Sequence, residues 1–354
     1  MNYTKPALLA ALGAPFLLGL ALPSEMIKFQ TPEGLVLKKT FSNTSEMTLD
    51  EMDMLMNGEP LPFPMDMDIT VSTDQTVVVT DTLGTVRGGH PIKVERTFDS
   101  LTSDSVSSMS SSMMGDEEME ANGTSELEGL SVVFTWDDDE GEFTVAFAED
   151  SEGDEDLLEG LKEDMDLRVL LPAGDVSEGE SWSIDPSLMI SVLAPGGNLQ
   201  IVPEDTEMGG MGMPGGSMNL EQMLGELDGE VTGKLVGLRD VDDSKIAVIA
   251  ITLEIESTND LTEFMREMME SVELPPEAGS MEIESFDVEM SIAGEGELLW
   301  DITHGHFLEL NISTEMDSTM DQAMSMSMGP ESMTMEQSMV FSATGNLAYT
   351  AERQ

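Results

Sequence analysis

Phe286, Val288, Met290 and Ile292 alternate with Asp287, Glu289, Ser291 and Ala293, and Ile249, Ile251, Leu253 and Ile255 alternate with smaller or polar neighbours. In extended chain, successive side chains leave by opposite faces, so a period of two fits a strand with one apolar and one wet face. The pattern recurs at Leu308, Leu310 and Ile312, at Val77 and Val79, and at Ile92 and Val94. It recurs again at Val132, Phe134 and Trp136 and at Phe143, Val145 and Phe147, on either side of the polar stretch from Asp137 to Glu142. That last pair predicts a hairpin. One wet face per strand is the mark of antiparallel sheet.

Helix signals are few. Thr48 with Glu51 resembles a capping box ahead of Leu49, Met52, Leu55 and Met56, and Gly58 would stop that helix. Asp154 precedes Leu157, Leu158, Leu161 and Met165; Asn219 with Gln222 precedes Met223, Leu224 and Leu227; Asp260 with Glu263 precedes Phe264, Met265 and Met268. The expected class is therefore mainly β with minor α.

Three tracts of Met, Ser, Gly and acids, residues 103–122, 204–217 and 317–338, bury too little by composition to offset chain entropy and read as flexible segments. The middle one is the best boundary. It implies a β-rich lobe over residues 24–203, a Met/Gly-rich linker over 204–219 and a second antiparallel, strand-rich lobe over 220–354. Each lobe holds two strands, a glycine turn with histidine, a third strand and a Met/Ser tract. A duplication would produce this echo, and so would generic β-meanders.

The 354 residues carry 71 acidic and 14 basic side chains, a formal charge of -57, and no cysteine. Scattered cations cannot make the basic stripe that neutralises phosphates, so a nucleic-acid partner is excluded. Disulfides, thiol catalysis and cysteine-bound zinc are excluded too. In dilute buffer such a polyanion repels itself, and near 1 M salt the screening length falls to about 3 Å, so the acids read as salt adaptation. At the start, Lys5, the uncharged run from Pro6 to Leu22, and small residues at Gly19 and Ala21 make residues 1–23 a signal peptide. An uncleaved anchor is the alternative, but Pro6, Gly13 and Pro15 break a run already short for about 30 Å of hydrocarbon. The mature chain is expected to be exported, periplasmic or extracellular, with no membrane span.

Methionine is the unusual chemical resource, at 32 residues. Thioethers are soft ligands that select Cu(I), and Met208, Met211 and Met213, or Met324, Met326 and Met328, or Met333 and Met335, offer closely spaced sulfurs. The competing reading is flexible filler in low-complexity segments. His304 and His306 form an HxH pair on a strand edge, with His90, Asp301 or Glu309 as further ligands, or simply a wet turn around Gly305. The acidic turn from Asp137 to Glu142 fails the EF-hand register and reads as a solvated hairpin able to attract surface cations such as calcium. No G-x-S-x-G, Walker loop, H-E-x-x-H or dinucleotide fingerprint is present, and no cofactor is indicated. Trp136, Trp182 and Trp300 read as core anchors.

The stretch Leu-Leu-Pro-Ala-Gly-Asp-Val-Ser-Glu-Gly-Glu-Ser-Trp, from Leu170 to Trp182, resembles a motif of uncharacterised exported bacterial β-rich proteins grouped as a domain of unknown function. Gly294-Glu295-Gly296-Glu297-Leu298-Leu299-Trp300-Asp301, then Gly305 ahead of Phe307 to Ile312, is similar to a second motif of the same proteins. The resemblance spans Thr31 to Ala351. It implies a strand-rich fold and an envelope or extracellular location, and no activity. Many such relatives look like lipoproteins, and the missing cysteine departs from that. The expectation is a non-enzymatic exported binding or scaffold protein holding a hydrophobic small molecule on a curved sheet; the alternative is a Met-based Cu(I) handler.

Overall fold

The computed structural model describes residues 24–61, 67–111, 115–203, 223–271, 280–328 and 331–354. The signal peptide expected over residues 1–23 and the Met208, Met211 and Met213 tract lie outside them. Among the described residues the dominant element is a 14-stranded sheet with every pairing antiparallel. Its strands are β1 (Leu35–Met56), β2 (Glu59–Pro60), β3 (Met67–Leu83), β4 (Lys93–Ser111), β5 (Gly115–Thr124), β6 (Ser131–Asp137) and β7 (Glu142–Phe147), followed by β8 (Ser181–Ile184), β9 (Val202–Pro203), β10 (Glu226–Val241), β11 (Ser244–Asp260), β12 (Ser280–Asp301), β13 (His306–Met328) and β14 (Glu331–Arg353). The order across the sheet is β7-β6-β4-β3-β1-β14-β13-β12-β11-β10-β8. The mainly β class with minor α is as expected, and the β6–β7 hairpin forms in register from Phe147–Val132 to Glu142–Asp137. One sheet crosses from the N-terminal to the C-terminal segment, because β1 pairs with β14 along most of both strands.

The strands are long because the pattern of two does not stop where Leu and Ile give out. The described parts of residues 103–122 and 317–338, expected to be flexible, belong to strands Lys93–Ser111, Gly115–Thr124, His306–Met328 and Glu331–Arg353. Here Met alternates with Ser and Asp, and ladders satisfy the backbone on both sides, or on one side along most of the edge strand β5, which composition alone does not register. The helix expected from Thr48 is likewise part of β1. A bulge at Asp50 places Leu49 opposite Phe341 and Glu51 opposite Val340, which moves the inward positions from Met47 and Leu49 to Met52, Met54 and Met56. The three-residue step from Leu49 to Met52 imitates helical spacing and is a bulge instead.

Of the other expected helices, only the Asp260 start yields a full one, α1 (Thr262–Ser271), with Asp260 accepting the Thr262 N–H at 2.9 Å. Asp154 opens only a 3-10 turn over Glu155–Leu158. Leu227 belongs to β10, and residues 219–222 lie outside the described residues.

Residues 154–203, apart from β8 and β9, lie over one half of the sheet's inner face in short turns and helical turns. Their Leu157, Met165, Leu167, Leu170, Met189 and Val192 join Leu37, Val79, Phe98, Leu253, Trp300 and Leu310 in one buried cluster. The resemblance motif closes on itself there, since Trp182 Nε1 donates to the Leu170 carbonyl at 3.1 Å. Its indole lies on Gly233 in the neighbouring strand, where a Cβ would stand 2.4 Å from the ring. At Gly305 the backbone is left-handed, φ 72°, and a Cβ would meet the Gln30 carbonyl at 2.4 Å. Both positions demand glycine.

Candidate binding face

Three charges stand at core positions of the covered half. Lys39, Asp81 and Arg96 take the inward parity of β1, β3 and β4, and their side chains are only 1% exposed. Asp81 accepts from Lys39 Nζ at 2.8 Å, Arg96 Nε at 2.8 Å and Arg96 Nη2 at 2.9 Å. Lys39 also donates to the Met165 carbonyl at 2.8 Å, and Arg96 to those of Lys162 and Glu163 at 3.0 and 3.1 Å. The network ties the overlying segment to the sheet. Burial works against ionising Asp81, but Arg96 and Lys39 outweigh it and hold the carboxyl down at about 2. Glu163 is pushed up to about 7 by burial and by Asp166, against the pull of the Arg168 fork that both carboxylates share. Asp164 is pushed up to about 6 by burial while accepting the Gly196 N–H at 2.8 Å. These groups are a clamp, closed off from ligands.

The β11–β13 corner brings Ser244, Asp301 and His304 together. A nucleophilic triad needs the serine and the acid on opposite imidazole nitrogens. Here Asp301 Oδ2, at 2.7 Å, and Ser244 Oγ, at 3.3 Å, both meet His304 Nδ1, so the trio locks the turn. Asp301 further accepts the His304 N–H at 3.0 Å, and burial of its carboxyl is outweighed by these bonds, which lower its pKa. His306 is buried, with Nδ1 2.6 Å from the Phe307 carbonyl, and burial lowers its pKa. The two rings are 6.4 Å apart between centroids. His90 stacks on Trp136 instead, at 3.9 Å, and Glu309 is exposed. Among the described residues no three His, Asp or Glu side chains gather to hold a metal ion. The HxH pair therefore acquires no further ligand. In the acidic turn, Asp137 Oδ1 accepts the Asp139 and Glu140 N–H groups, as a solvated hairpin would.

Beyond the clamp, the same inner face carries methionine in rows across the strands. Met316 lies opposite Ala343, and Ala343 opposite Met47; Met320 lies opposite Met339, and Met339 opposite Met52. Gln322, Gln337 and Met54 form the next row, Met324, Met335 and Met56 the one after, and Met326 pairs with Met333 at the end. Val288 and Phe286 of β12 extend the rows at Met320 and Gln322. Most of these side chains are half-buried, Met339 is buried, and Met56 is 40% exposed. The opposite face is acidic, with Asp260, Asp287 and Asp321 side by side on adjacent strands. Of the methionines singled out in the sequence, Met324 and Met326 share this face, and Met328 pairs with Glu331 at the strand end. Met333 and Met335, also closely spaced in the sequence, share the face too, whereas Met56, expected on a helix, joins it only through the bulge in β1. The strand signal of the first two is the alternation Met333, Met335, Gln337, Met339, Phe341, masked when the tract is read as low complexity.

No family model matches the chain, and no curated protein does. Among solved structures it is similar to an outer membrane channel from Pseudomonas putida F1, at 9% identity and a TM-score of 0.21, over 92% of this chain and 97% of that one. It is also similar to the outer membrane protein OprG from Pseudomonas aeruginosa, at 8% identity and a TM-score of 0.19, over 91% of this chain and 99% of that one. Likenesses of that size say nothing about what this chain does. Among the described residues no helix is long and apolar enough to cross a membrane.

Proposed function

We propose that the chain is a non-enzymatic, exported binding module, periplasmic or extracellular, that holds a hydrophobic small molecule on the methionine-lined half of the sheet. The observation that carries this reading is the run of cross-strand rows from Met316 to Met326, half-buried on a face whose reverse is acidic. Ten residues of strand measure about 33 Å, and four strands about 15 Å across, dimensions suited to a long alkyl chain. Met is unbranched and polarizable, so such a floor adapts to chains of differing shape. The charge of -57 disfavours an anionic headgroup, which points to a neutral or cationic amphiphile.

Organic extraction of protein purified from its native source, followed by mass spectrometry, is the first test, with a stoichiometric alkyl-chain compound expected. Nile red titration is the second. Met320→Glu with Met339→Glu should weaken dye binding at least tenfold, while Arg87→Gln, distant on an exposed turn, should leave it unchanged. Extracts without ligand, together with no saturable dye binding, overturn the reading.

A further inference from the structure

We propose that Met324, Met335 and Met56 form a soft-metal site that takes Cu(I), with Met326 and Met333 as reserve ligands in the adjacent row. The proposal does not rest on the hydrophobic-ligand reading. Register places these three residues directly opposite one another on β13, β14 and β1, all on the inner face. Directly opposed positions hold their Cβ atoms about 4.5–5.5 Å apart, so the Met335 sulfur can share an ion with that of either neighbour, and all three converge where Met324 and Met56 extend across their strands toward Met335. Neutral thioethers select Cu(I), whereas oxygen-seeking calcium and magnesium gain nothing from them. The row is also pinned. Asn57, next to Met56, donates its N–H to the Thr334 carbonyl at 2.9 Å and accepts the Thr334 N–H on Oδ1 at 3.0 Å, which fixes the end of β1 against β14.

Within this row Met324 is partly buried against the main apolar core, and exposure rises across Met335 to Met56. Met320, Met339 and Met52 pack with Leu49 and Phe341 in an apolar cluster. The Met324 row lies four residues farther along β13 toward the sheet end, where Met56 is 40% exposed and reachable by an incoming ion. Gln322 and Gln337 separate the two rows. The surrounding negative charge raises the local concentration of any cation, and the thioethers choose among them.

The test is a competition titration of the full mature chain with Cu(I) against a chromogenic Cu(I) chelator, with Ag(I) as a redox-inert second probe. One equivalent bound more tightly than micromolar is expected. Met324→Leu/Met335→Leu/Met56→Leu keeps the face apolar and removes only sulfur, so it should weaken Cu(I) at least a hundredfold while the far-UV circular dichroism spectrum and the midpoint of urea unfolding are unchanged. Met208→Leu/Met211→Leu/Met213→Leu should keep full Cu(I) affinity. X-ray absorption of the loaded wild-type protein should show a sulfur-only shell, which keeps the proposal testable if the triple variant fails to fold. No binding tighter than micromolar, a nitrogen or oxygen shell, or loss only in the variant at residues 208–213 would each overturn it.

Discussion

The two halves of the sheet share the long central strands and the same alternation, yet one is a sealed core and the other is buried only in part. In β1, Leu37, Lys39 and Phe41 are buried beneath residues 154–203, whereas Met47, Met52 and Met54 on the same side are half-buried. The side chains divide accordingly. The covered half uses Leu, Val, Phe and Trp, whose shapes pack uniquely, and even admits charges because every one of them is paired. The far half uses Met, which tolerates changing partners. Burial is therefore complete beneath residues 154–203 and uneven beyond them, where Phe286, Val288 and Phe341 are buried while Met320, Met324 and Met335 are only half-buried.

If that division is right, the largest effect comes from breaking the clamp. Asp81→Asn leaves Lys39 and Arg96 buried with carbonyl partners but no counter-charge. It should cost about 3–5 kcal/mol, read from the midpoint of urea unfolding. A cost under about 1 kcal/mol would mean that the two halves are held alike.

How far this division is legible in the sequence depends on which signal is read. Alternation identifies the strands of the covered half, the β6–β7 hairpin and the start of α1. The buried charges are legible in principle, because Lys39 falls midway between Leu37 and Phe41 at their apolar parity, Asp81 shares the parity of Val79 and Leu83, and Arg96 that of Val94 and Phe98. What links the three is contact between strands and a segment far away in sequence, which no local pattern contains. In the far half, the Ser and Asp between methionines in β13 lower the apparent hydrophobicity although the period holds. Bulges at Asp50 and Glu284 then shift the parity, and the first of them disguises strand as helix. The rows of opposed methionines exist only through register.

The second effect is a pH dependence confined to the covered half. Glu163 titrates at about 7 in the fold against an ordinary 4.5, so between those values the folded state holds a proton that the unfolded chain has lost. Stability should therefore fall as pH rises from about 4.5 to 7 and level off above it. Asp164, at about 6 against 3.8, acts in the same direction. Asp81, held at about 2 against 3.8, has the opposite sign, and its contribution is lost only as pH falls from about 4 toward 2. Acid also relieves the general negative charge, so the informative quantity is a difference between variants in about 1 M salt. Glu163→Gln should flatten the slope between pH 5 and 7 by roughly 1 kcal/mol per pH unit. An unchanged slope would remove Glu163 from the clamp.

The smallest effect has opposite signs in the two halves for one chemical operation, the deletion of a hydroxyl. In the covered half, Tyr349 Oη is buried and donates to the Val192 carbonyl at 2.7 Å. Tyr349→Phe leaves that carbonyl without its donor and should cost about 1 kcal/mol. In the far half, Ser318 sits on the inner face between Met290 and Phe341, and its buried Oγ has no hydrogen-bond partner. Ser318→Ala removes an uncompensated polar atom and should be neutral or stabilising by up to about 1 kcal/mol. Paired urea denaturations of the two variants at a single pH resolve the sign. If both substitutions destabilise equally, the far half is packed as tightly as the core, and an adaptable methionine floor is the wrong description of it.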